Sequence, residues 1–533
     1  MRVSVCHAAL AVCLAAGRAD CASANFPRAS AGQGFLSVPV NTVERKHGLQ
    51  RRDGQNAFEW TLQNFDFFYA AEVGIGTPPQ NVVVLVDTGS SELWVNPDCS
   101  TAPNQFSAQQ CVQFGKYNPR LSRTPPVGPF GGEEINYGDP SDESTLTSVR
   151  ITYYLDNLSF GDANITNQTF GVVTTSEDQS QGILGLAPDI QGGFDTEEPY
   201  SLVLNTMAKQ GIIASRAFAL DLRHSDSETG AIIYGGLDRN KFIGTLESQP
   251  IVRGMHGEFR LAVDMDTLGL TLDGQPQNYK LQGDDTNVLL DSGTTLTRLH
   301  PAVAVPILNA LGAQDDGEGY FYVPCTMRNM GGSADFGFGS KTVRVPFKDF
   351  IMNVGDDRIC YVGVVMSSDQ QILGDSVLRA GYFVFDWDNE AIHIAQAANC
   401  GDSDIVAIGS GKDSVPQVTG NCQEKDAIFT NADSNQPTRT NAPGTLPTEP
   451  YTTVFTITSC PPIDRQCQTG VVTTQTIDAR PTPNSSGDNN GNGSNNNSNG
   501  TGEDGDSAAV PRAEAANALL AVIVAFAALY NAV

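Results

Sequence analysis

The chain contains two matching stretches, Asn81-Val82-Val83-Val84-Leu85-Val86-Asp87-Thr88-Gly89-Ser90-Ser91 and Asn287-Val288-Leu289-Leu290-Asp291-Ser292-Gly293-Thr294-Thr295. Each begins with a short apolar run rich in β-branched residues, which predicts a buried strand. Each then delivers an aspartate into a turn of hydroxyl residues and glycine. One such turn has no special meaning, because Asp, Ser and Gly are ordinary turn residues. Two copies, each behind an apolar strand, favour a shared function for Asp87 and Asp291.

The similarity between the two halves extends beyond the aspartates. Downstream of Asp87 the chain contains Gly182-Ile183-Leu184-Gly185-Leu186, and at a comparable distance after Asp291 it contains Gln371-Ile372-Leu373-Gly374-Asp375. Each half therefore has an aspartate turn and a later apolar-apolar-Gly element. This internal repeat predicts two similar lobes.

The N-terminus has the pattern of a secreted precursor. Residues 1–24 combine a basic start, an apolar stretch and the small-x-small site Ala22-Ser23-Ala24, which predicts a signal peptide. Residues 25–52 carry basic pairs and end at Arg51-Arg52, which predicts a propeptide removed at a dibasic site. A solvated charge cluster is the alternative for these basic residues.

Composition limits the function classes. Asp and Glu number 60 against 32 Lys and Arg, a formal net charge of −28. This charge argues against a nucleic-acid partner, which would require a basic surface. An ordinary solvated surface and an acidic working environment both explain it. The chain has no Gly-x-Ser-x-Gly and no His-Glu-x-x-His motif, which disfavours a serine hydrolase and a zinc protease. We expect no cofactor and no metal.

The paired motifs together resemble the pepsin family of aspartic proteases. The resemblance rests on residues 86–95 and 290–295 and covers approximately residues 65–398. It implies an all-β, bilobal fold with two six-stranded lobes, 53–248 and 249–400, and an active-site cleft between them. It further implies an aspartic-type endopeptidase, a monomer that acts on protein or peptide substrates. A non-enzymatic relative would typically lack one aspartate or the flap tyrosine, and this chain has both aspartates and Tyr137.

The resemblance assigns roles around the two aspartates. Asp87 and Asp291 are implied to meet at the floor of the cleft and to share one proton, because two close carboxylates cannot both ionise easily. One would activate a bridging water while the other polarises the scissile carbonyl. The residues implied to support the pair are Gly89, Ser90, Gly293 and Thr294.

A second group of residues is implied to bind substrate. Tyr137 and Gly138 match the β-hairpin flap that closes over substrate in this family, and Trp94 matches the hydrogen-bond partner of the flap tyrosine. Asp139 follows, and an acidic residue there indicates acceptance of Lys or Arg before the scissile bond. Alternatively, Asp139 is a solvated residue of the flap tip, and Leu85 keeps the pocket apolar.

The cysteines fit a secreted protein. Of the 11 cysteines, Cys6, Cys13 and Cys21 lie in the predicted signal peptide, which leaves an even set. Several connectivities remain open among the last four. The resemblance implies two pairs, Cys99–Cys111 as in the fungal yapsin-like branch and Cys325–Cys360 as in the family's second lobe. Cys460–Cys467 would close a hairpin, and Cys400–Cys422 follows by elimination.

The composition changes after Cys400. Residues 401–507 are rich in Ser, Thr, Asn, Gly and Asp, which predicts a polar stalk. Within it, alternating residues at 451–460 and 471–474 predict a small β-hairpin. Sequons crowd the stalk, and the candidate glycosylation sites in the body are Asn157, Asn164 and Asn167.

The final segment predicts a GPI anchor. Gly505, Asp506 and Ser507 are candidate attachment residues, followed by a short spacer and an apolar run at 518–530. Residues 508–533 would then be removed. A transmembrane helix is the alternative, although the run is short of the roughly 20 residues that a span needs. The expected location is the cell surface, on the plasma membrane or the cell wall.

Overall fold

The computed structural model describes residues 29–44, 67–138, 145–194, 201–223, 229–272, 274–317, 319–353, 358–423, 451–456 and 472–477. The chain divides into two compact units, residues 1–441 and 442–533, each of which is described by itself. In the described ranges, no helix is long and apolar enough to cross a membrane. The predicted signal peptide and anchor signal lie outside these ranges.

Most of the described chain is β-structure, which confirms the all-β prediction. In chain order the strands are β1 (Ser30–Gly32), β2 (Phe35–Glu44), β3 (Phe67–Ile75), β4 (Gln80–Asp87), β5 (Leu93–Val95), β6 (Val127–Tyr137), β7 (Thr147–Phe160), β8 (Ala163–Glu177), β9 (Gly182–Gly185), β10 (Ala217–Asp221), β11 (Thr229–Tyr234), β12 (Gly236–Asp238), β13 (Phe242–Pro250), β14 (Ala262–Asp264), β15 (Thr267–Leu272), β16 (Gln275–Lys280), β17 (Asn287–Leu290), β18 (Thr297–Leu299), β19 (Gln314–Asp315), β20 (Phe321–Pro324), β21 (Gly332–Phe338), β22 (Lys341–Pro346), β23 (Ile351–Asn353), β24 (Ile359–Val362), β25 (Val364–Met366), β26 (Ile372–Leu373), β27 (Gly381–Asp386), β28 (Ala391–Ala397), β29 (Ile405–Ala407), β30 (Tyr451–Thr456) and β31 (Val472–Ile477).

The helices are short and connect the strands. The α-helices are α1 (Gln105–Gln113), α2 (Val203–Lys209), α3 (Pro301–Ala310), α4 (Phe347–Phe350) and α5 (Asp375–Leu378). Single 3₁₀ turns occur at Cys99–Thr101, Pro119–Leu121, Arg239–Lys241, Gly283–Thr286 and Cys325–Asn329.

The two copies of the repeat fold alike. In the first copy β4 pairs in parallel with β9, so that Asp87 lies beside Gly185. In the second copy β17 pairs in parallel with β26, and Leu290 lies beside Leu373. A short strand, β5 or β18, adds antiparallel to the later strand of each copy. Because β4 and β17 are buried over their apolar residues, each brings its aspartate out of a hydrophobic core.

Six strands join the two lobes. They lie in the order β2-β11-β10-β27-β28-β13 within a larger sheet of 14 strands. The central contact is the antiparallel pair β10 and β27, in which Phe218 lies opposite Phe385. Their rings stack at 4.8 Å between centroids. Strands from both halves of the chain thus form one continuous frame behind the two aspartates.

The lobes are built less regularly than the resemblance implies. The first lobe continues from the interlobe frame through β3, β4, β9, β5, β8, β7 and β6 in the same sheet. The second lobe is divided among sheets of five, four and four strands. The expectation of one six-stranded sheet per lobe is therefore not met. The first lobe merges with the frame because β2 pairs with both β3 and β11.

Strand β2 lies inside the segment predicted to be a propeptide. It carries Leu36, Val38 and Val40, which are 0 to 2% exposed in the main hydrophobic core. Pro39 lies opposite Ala231 of β11, and the pairing with β3 begins only at Asn41. Proline is tolerated here because it lies outside the part of β2 that pairs with β3.

Residues 401–423 pack on the folded body, although their composition predicts the start of the stalk. Strand β29 pairs with β12, and Ile408 and Val415 are buried in a hydrophobic cluster with residues of the interlobe frame, such as Ala219 and Val384. The disulfide Cys400–Cys422 closes the segment. The folded body therefore extends beyond the expected boundary at residue 400, because these apolar side chains cover the second face of the frame.

The structure contains three disulfides in the described ranges. They are Cys99–Cys111, Cys325–Cys360 and Cys400–Cys422. The first two match the pairs implied by the resemblance, and the third matches the pair expected by elimination. Cys460 and Cys467 lie outside the described residues. In the second unit, β30 and β31 pair antiparallel from Tyr451 opposite Ile477 to Thr456 opposite Val472, which confirms the predicted strand pairing.

We predict that Ile408→Ala lowers the free energy of unfolding by about 2–5 kcal/mol, the usual cost of truncating a fully buried isoleucine. Ile408 is 0% exposed. Urea or guanidinium unfolding of the purified protein measures the change. The matched control is Ile190→Ala, because Ile190 is 37% exposed. Equal stability of the two variants would mean that residues 401–423 belong to a solvated stalk.

Candidate active site

Two equivalent loops hold the two aspartates. In the first loop the amide of Gly89 donates to Asp87 Oδ1 at 2.8 Å, and the Ser90 hydroxyl donates to Asp87 Oδ2 at 2.5 Å. In the second loop the amide of Gly293 donates to Asp291 Oδ1 at 2.8 Å, and the Thr294 hydroxyl donates to Asp291 Oδ2 at 2.7 Å. The four predicted supporting residues thus contact the aspartates as the resemblance implies.

The loops are locked together by crossed hydrogen bonds. The Thr88 hydroxyl donates to the carbonyl oxygen of Leu290 at 2.8 Å, and the Ser292 hydroxyl donates to that of Val86 at 2.8 Å. The amide of Ser292 donates to Thr88 Oγ1 at 2.9 Å, and the amide of Thr88 donates to Ser292 Oγ at 3.2 Å. Both hydroxyl residues are 0% exposed, so this network fixes the loops in a dry environment.

The crossing brings the carboxylates face to face. A Cβ atom on Gly89 would lie 2.5 Å from Asp291 Oδ1, and one on Gly293 would collide with Asp87 Oδ1. Only glycine fits at either position, because a side chain would displace the opposite carboxylate. Asp87 is 4% exposed and Asp291 is 8% exposed. The sequence prediction that these two aspartates come together agrees with this geometry.

Burial, with the charge of Asp291 as a second cause, raises the pKa of Asp87 well above its ordinary value. The hydrogen bonds from Ser90 and Gly89 favour the ionised form and oppose this shift. The pair therefore retains one proton at pH values where an isolated aspartate is fully ionised. One carboxylate can then accept a proton while the other donates one.

Tyr137, predicted to be the flap tyrosine, lies at the end of β6. Its hydroxyl accepts a hydrogen bond of 2.7 Å from Nε1 of Trp94, and Trp94 is fully buried. Burial is the main cause that raises the pKa of Tyr137 well above its ordinary value, so Tyr137 stays neutral. Gly138 has a φ of +103°, where a side chain would collide with the carbonyl of Thr145.

The remaining predicted substrate contacts have mixed outcomes. Leu85 is 6% exposed and belongs to the hydrophobic core, so its burial alone explains its apolar character. Asp139 lies outside the described residues.

The candidate glycosylation sites differ in exposure. Asn164 and Asn167 are exposed, whereas Asn157 is half-buried and its side-chain amide donates to Thr124 Oγ1 at 3.3 Å. The anchor candidates Gly505, Asp506 and Ser507 lie outside the described residues.

Sequence reasoning missed two contributors to this site and an acidic residue whose charge acts on Tyr137. It gave no role to Thr88 and Ser292, although each is the middle residue of a repeated triplet and could have been found there. It also gave no role to Glu92, which is half-buried. Burial, together with the charge of Glu133, raises the pKa of Glu92 to about 7. Glu133 in turn accepts a hydrogen bond of 2.7 Å from the Tyr153 hydroxyl.

Comparison with known proteins agrees with the geometry. Residues 68–397 match the family described as eukaryotic aspartyl protease. The chain is 35% identical to candidapepsin-1 of Candida albicans over 70% of its own length and 91% of that protein. It is 32% identical to candidapepsin of Candida tropicalis over 65% of its length and 84% of that protein. It is also 30% identical to a probable aspartic-type endopeptidase, opsB, of Aspergillus oryzae, over 71% and 78% of the two chains.

Proposed function

Because the chain belongs to the eukaryotic aspartyl protease family and is an aspartic-type endopeptidase, we propose that Asp87 and Asp291 activate water for peptide hydrolysis. The observation that carries this proposal is the opposition of the two buried carboxylates, each lying against the glycine of the other loop. Two carboxylates in this position share one proton, which equips the pair for both acid and base catalysis.

The reaction follows from that shared proton. The ionised carboxylate accepts a proton from a water held between the pair, and the resulting hydroxide attacks the scissile carbonyl carbon. The protonated carboxylate donates its proton to the carbonyl oxygen, which gives a tetrahedral diol. The proton taken from water then passes to the leaving nitrogen as the C–N bond breaks, and one hydroxyl of the diol returns its proton to the carboxylate that had donated one, which restores the shared proton. No covalent intermediate with the chain forms. Closure of the flap over substrate, with Tyr137 held by Trp94, would exclude bulk water from this step.

The enzyme is proposed to work at acidic pH. Loss of the shared proton stops catalysis, so activity falls as the pH rises through the raised pKa of Asp87. Protonation of both carboxylates at very low pH stops it as well. The rate therefore has a maximum between the two titrations of the pair.

Acceptance of basic residues before the scissile bond is the finer part of the proposal. It rests on Asp139, which directly follows Tyr137 and Gly138 in the flap sequence. In a partly desolvated cleft, a carboxylate facing Lys or Arg gains more energy than the same pair gains in water. Large apolar residues remain acceptable, because a single carboxylate changes the preference without closing the pocket.

We further propose that the enzyme is a secreted, surface-anchored glycoprotein made as a precursor. The N-terminal signal pattern and the dibasic site at Arg51-Arg52 support secretion and processing, and several relatives are named secreted aspartic proteases. Exposed Asn164 and Asn167 are better glycosylation sites than half-buried Asn157. The small residues at 505–507 followed by an apolar tail support a GPI anchor.

Removing either carboxylate tests the catalytic pair. We predict that Asp87→Asn and Asp291→Asn each lower kcat by at least about 10³-fold without unfolding, because one carboxylate cannot serve as both acid and base. Hydrolysis of a peptide library at several acidic pH values measures the effect. The control is Asp162→Asn, since Asp162 is exposed in the turn between β7 and β8. Full activity in either folded site variant contradicts the mechanism.

Specificity is tested at the flap. We predict that Asp139→Ser lowers the ratio of cleavage after Lys or Arg to cleavage after Phe or Leu by about fivefold, the effect of losing a roughly 1 kcal/mol ion pair. Matched peptides that differ at that one position give the ratio. Asp162→Ser serves as the control for a general loss of negative charge. An unchanged ratio in Asp139→Ser removes this residue from the specificity of the enzyme.

Anchoring is tested by enzymatic release. We predict that phosphatidylinositol-specific phospholipase C releases the protein from membranes, and that the released chain lacks the apolar run 518–530. A variant without residues 508–533 is expected in the medium, because it has no attachment signal. Membrane retention of a chain that still carries Tyr530 indicates a transmembrane span instead.

A further inference from the structure

We propose that Arg260 is a positioning residue that couples the Asp87 loop to the strand that carries Asp291, a role that rests on the proposed function of the two aspartates. Nη1 of Arg260 donates a hydrogen bond of 2.8 Å to the carbonyl oxygen of Gly89. The amide of this same Gly89 donates to Asp87 Oδ1. Arg260 therefore positions Gly89, whose amide in turn positions the carboxylate of Asp87.

In the second lobe, the backbone of Arg260 lies beside the backbone of Asp291, across a pair of neighbouring strands. Strand β14 pairs antiparallel with β17, with Ala262 opposite Leu289. The same register, continued by two residues, places Arg260 opposite Asp291. The amide of Leu290 donates to the carbonyl oxygen of Leu261 at 3.0 Å, which supports this continuation. The backbone of Arg260 thus lies beside one aspartate, while its guanidinium contacts the loop of the other.

The repeat itself does not require a charge at this position. In the first lobe Ala70 lies opposite Leu85, so the same register places Phe68 opposite Asp87. Phe68 is 4% exposed and packs edge-on against Phe114 at 5.9 Å. An apolar side chain therefore satisfies the fold at the equivalent position. Placing a guanidinium at this position costs desolvation energy. The contact with the opposite loop would explain why an arginine is nevertheless found there.

The guanidinium of Arg260 also forms an ion pair. Nε of Arg260 lies 3.5 Å from Oε1 of Glu258, and the two side chains are 26% and 11% exposed. Gly254 contributes by leaving room, since a Cβ there would collide with the Glu258 carboxylate. A partly buried pair of this kind is screened less by salt than a surface pair, so its attraction adds to the hydrogen bond from Nη1 of Arg260 to Gly89.

The hairpin before Arg260 is docked on the first lobe. The amide of Phe259 donates to the carbonyl oxygen of Ile190 at 3.1 Å, and the Phe259 ring packs edge-on against Phe194 at 6.2 Å. These two contacts fix the backbone from which Arg260 extends against the first lobe. Arg253 lies on the same hairpin, with its guanidinium 3.3 Å from the centroid of the Phe259 ring, and offers a control with the same charge.

The consequence is a fixed distance between the two carboxylates. A charge-assisted hydrogen bond to a carbonyl is stronger than a neutral one, and displacing a catalytic group by about 1 Å can cost about 10²-fold in rate. Loss of Arg260 would allow the Gly89 peptide to reorient. The substrate would still bind, because Arg260 acts on the aspartate loop, but the transition state would be stabilised less.

Steady-state kinetics of Arg260→Met test this role. We expect kcat to fall by about 10- to 100-fold with KM changed less than about threefold. Affinity for a statin-type transition-state analogue should fall in parallel with kcat/KM. Arg260→Lys should recover part of the loss, because lysine keeps the charge but not the planar fork. The matched control Arg253→Met should keep kcat within about twofold.

Two results overturn the role of Arg260. One is wild-type kcat and wild-type analogue affinity in folded Arg260→Met, and the other is an equal loss in Arg253→Met. If Arg260→Met does not fold, Arg260→Lys decides, and unchanged kcat and analogue affinity in that variant reject the proposal. Asp87→Asn separates the two proposals. Activity in Asp87→Asn refutes the proposed function, whereas an inactive Asp87→Asn with a fully active Arg260→Met refutes only the positioning role.

Discussion

The crossed hydrogen bonds between Thr88 and Ser292 are the constraint on which the site depends. The Thr88 hydroxyl donates to the carbonyl oxygen of Leu290, and the Ser292 hydroxyl donates to that of Val86. Those carbonyls directly precede Asp291 and Asp87. Because buried polar groups must find partners, neither loop can move without leaving groups of both loops unsatisfied. The distance between the carboxylates is thus set by the backbone, and the lobes must be arranged around it.

The interlobe frame meets this requirement by using strands from distant parts of the chain. Its central pair, β10 and β27, joins the halves, while β2 and the segment 401–423 come from regions that composition assigns to a propeptide and a stalk. Removal of β2 would leave unpaired edges on β3 and β11, which are unfavourable when buried. In the unprocessed chain, the folded body is therefore more than the region of family similarity at residues 68–397.

Sequence predicts the parts of this protein that rest on local pattern. The apolar runs before Asp87 and Asp291 predict their strands, and the family resemblance carried by the doubled motif implies their meeting. The strand β2 could not be predicted, because Pro39 argues against a strand that pairs on both sides. The packing of residues 401–423 was hidden by a polar composition, in which only Ile408 and Val415 are fully buried among the apolar residues. The crossed hydroxyls required a tertiary arrangement that spacing alone does not reveal.

The two halves are alike in backbone and unlike in the side chains that surround the aspartates. Tyr137 and its hydrogen-bond partner Trp94 belong to the first lobe, and the arginine that contacts Gly89 belongs to the second, 171 residues away. A symmetric pair would give both carboxylates the same proton affinity, whereas catalysis requires one acid and one base. Unequal surroundings remove that equivalence while the repeated backbone keeps the carboxylates opposed. The chemistry of this site therefore comes from departures from the repeat, built on a frame that the repeat provides.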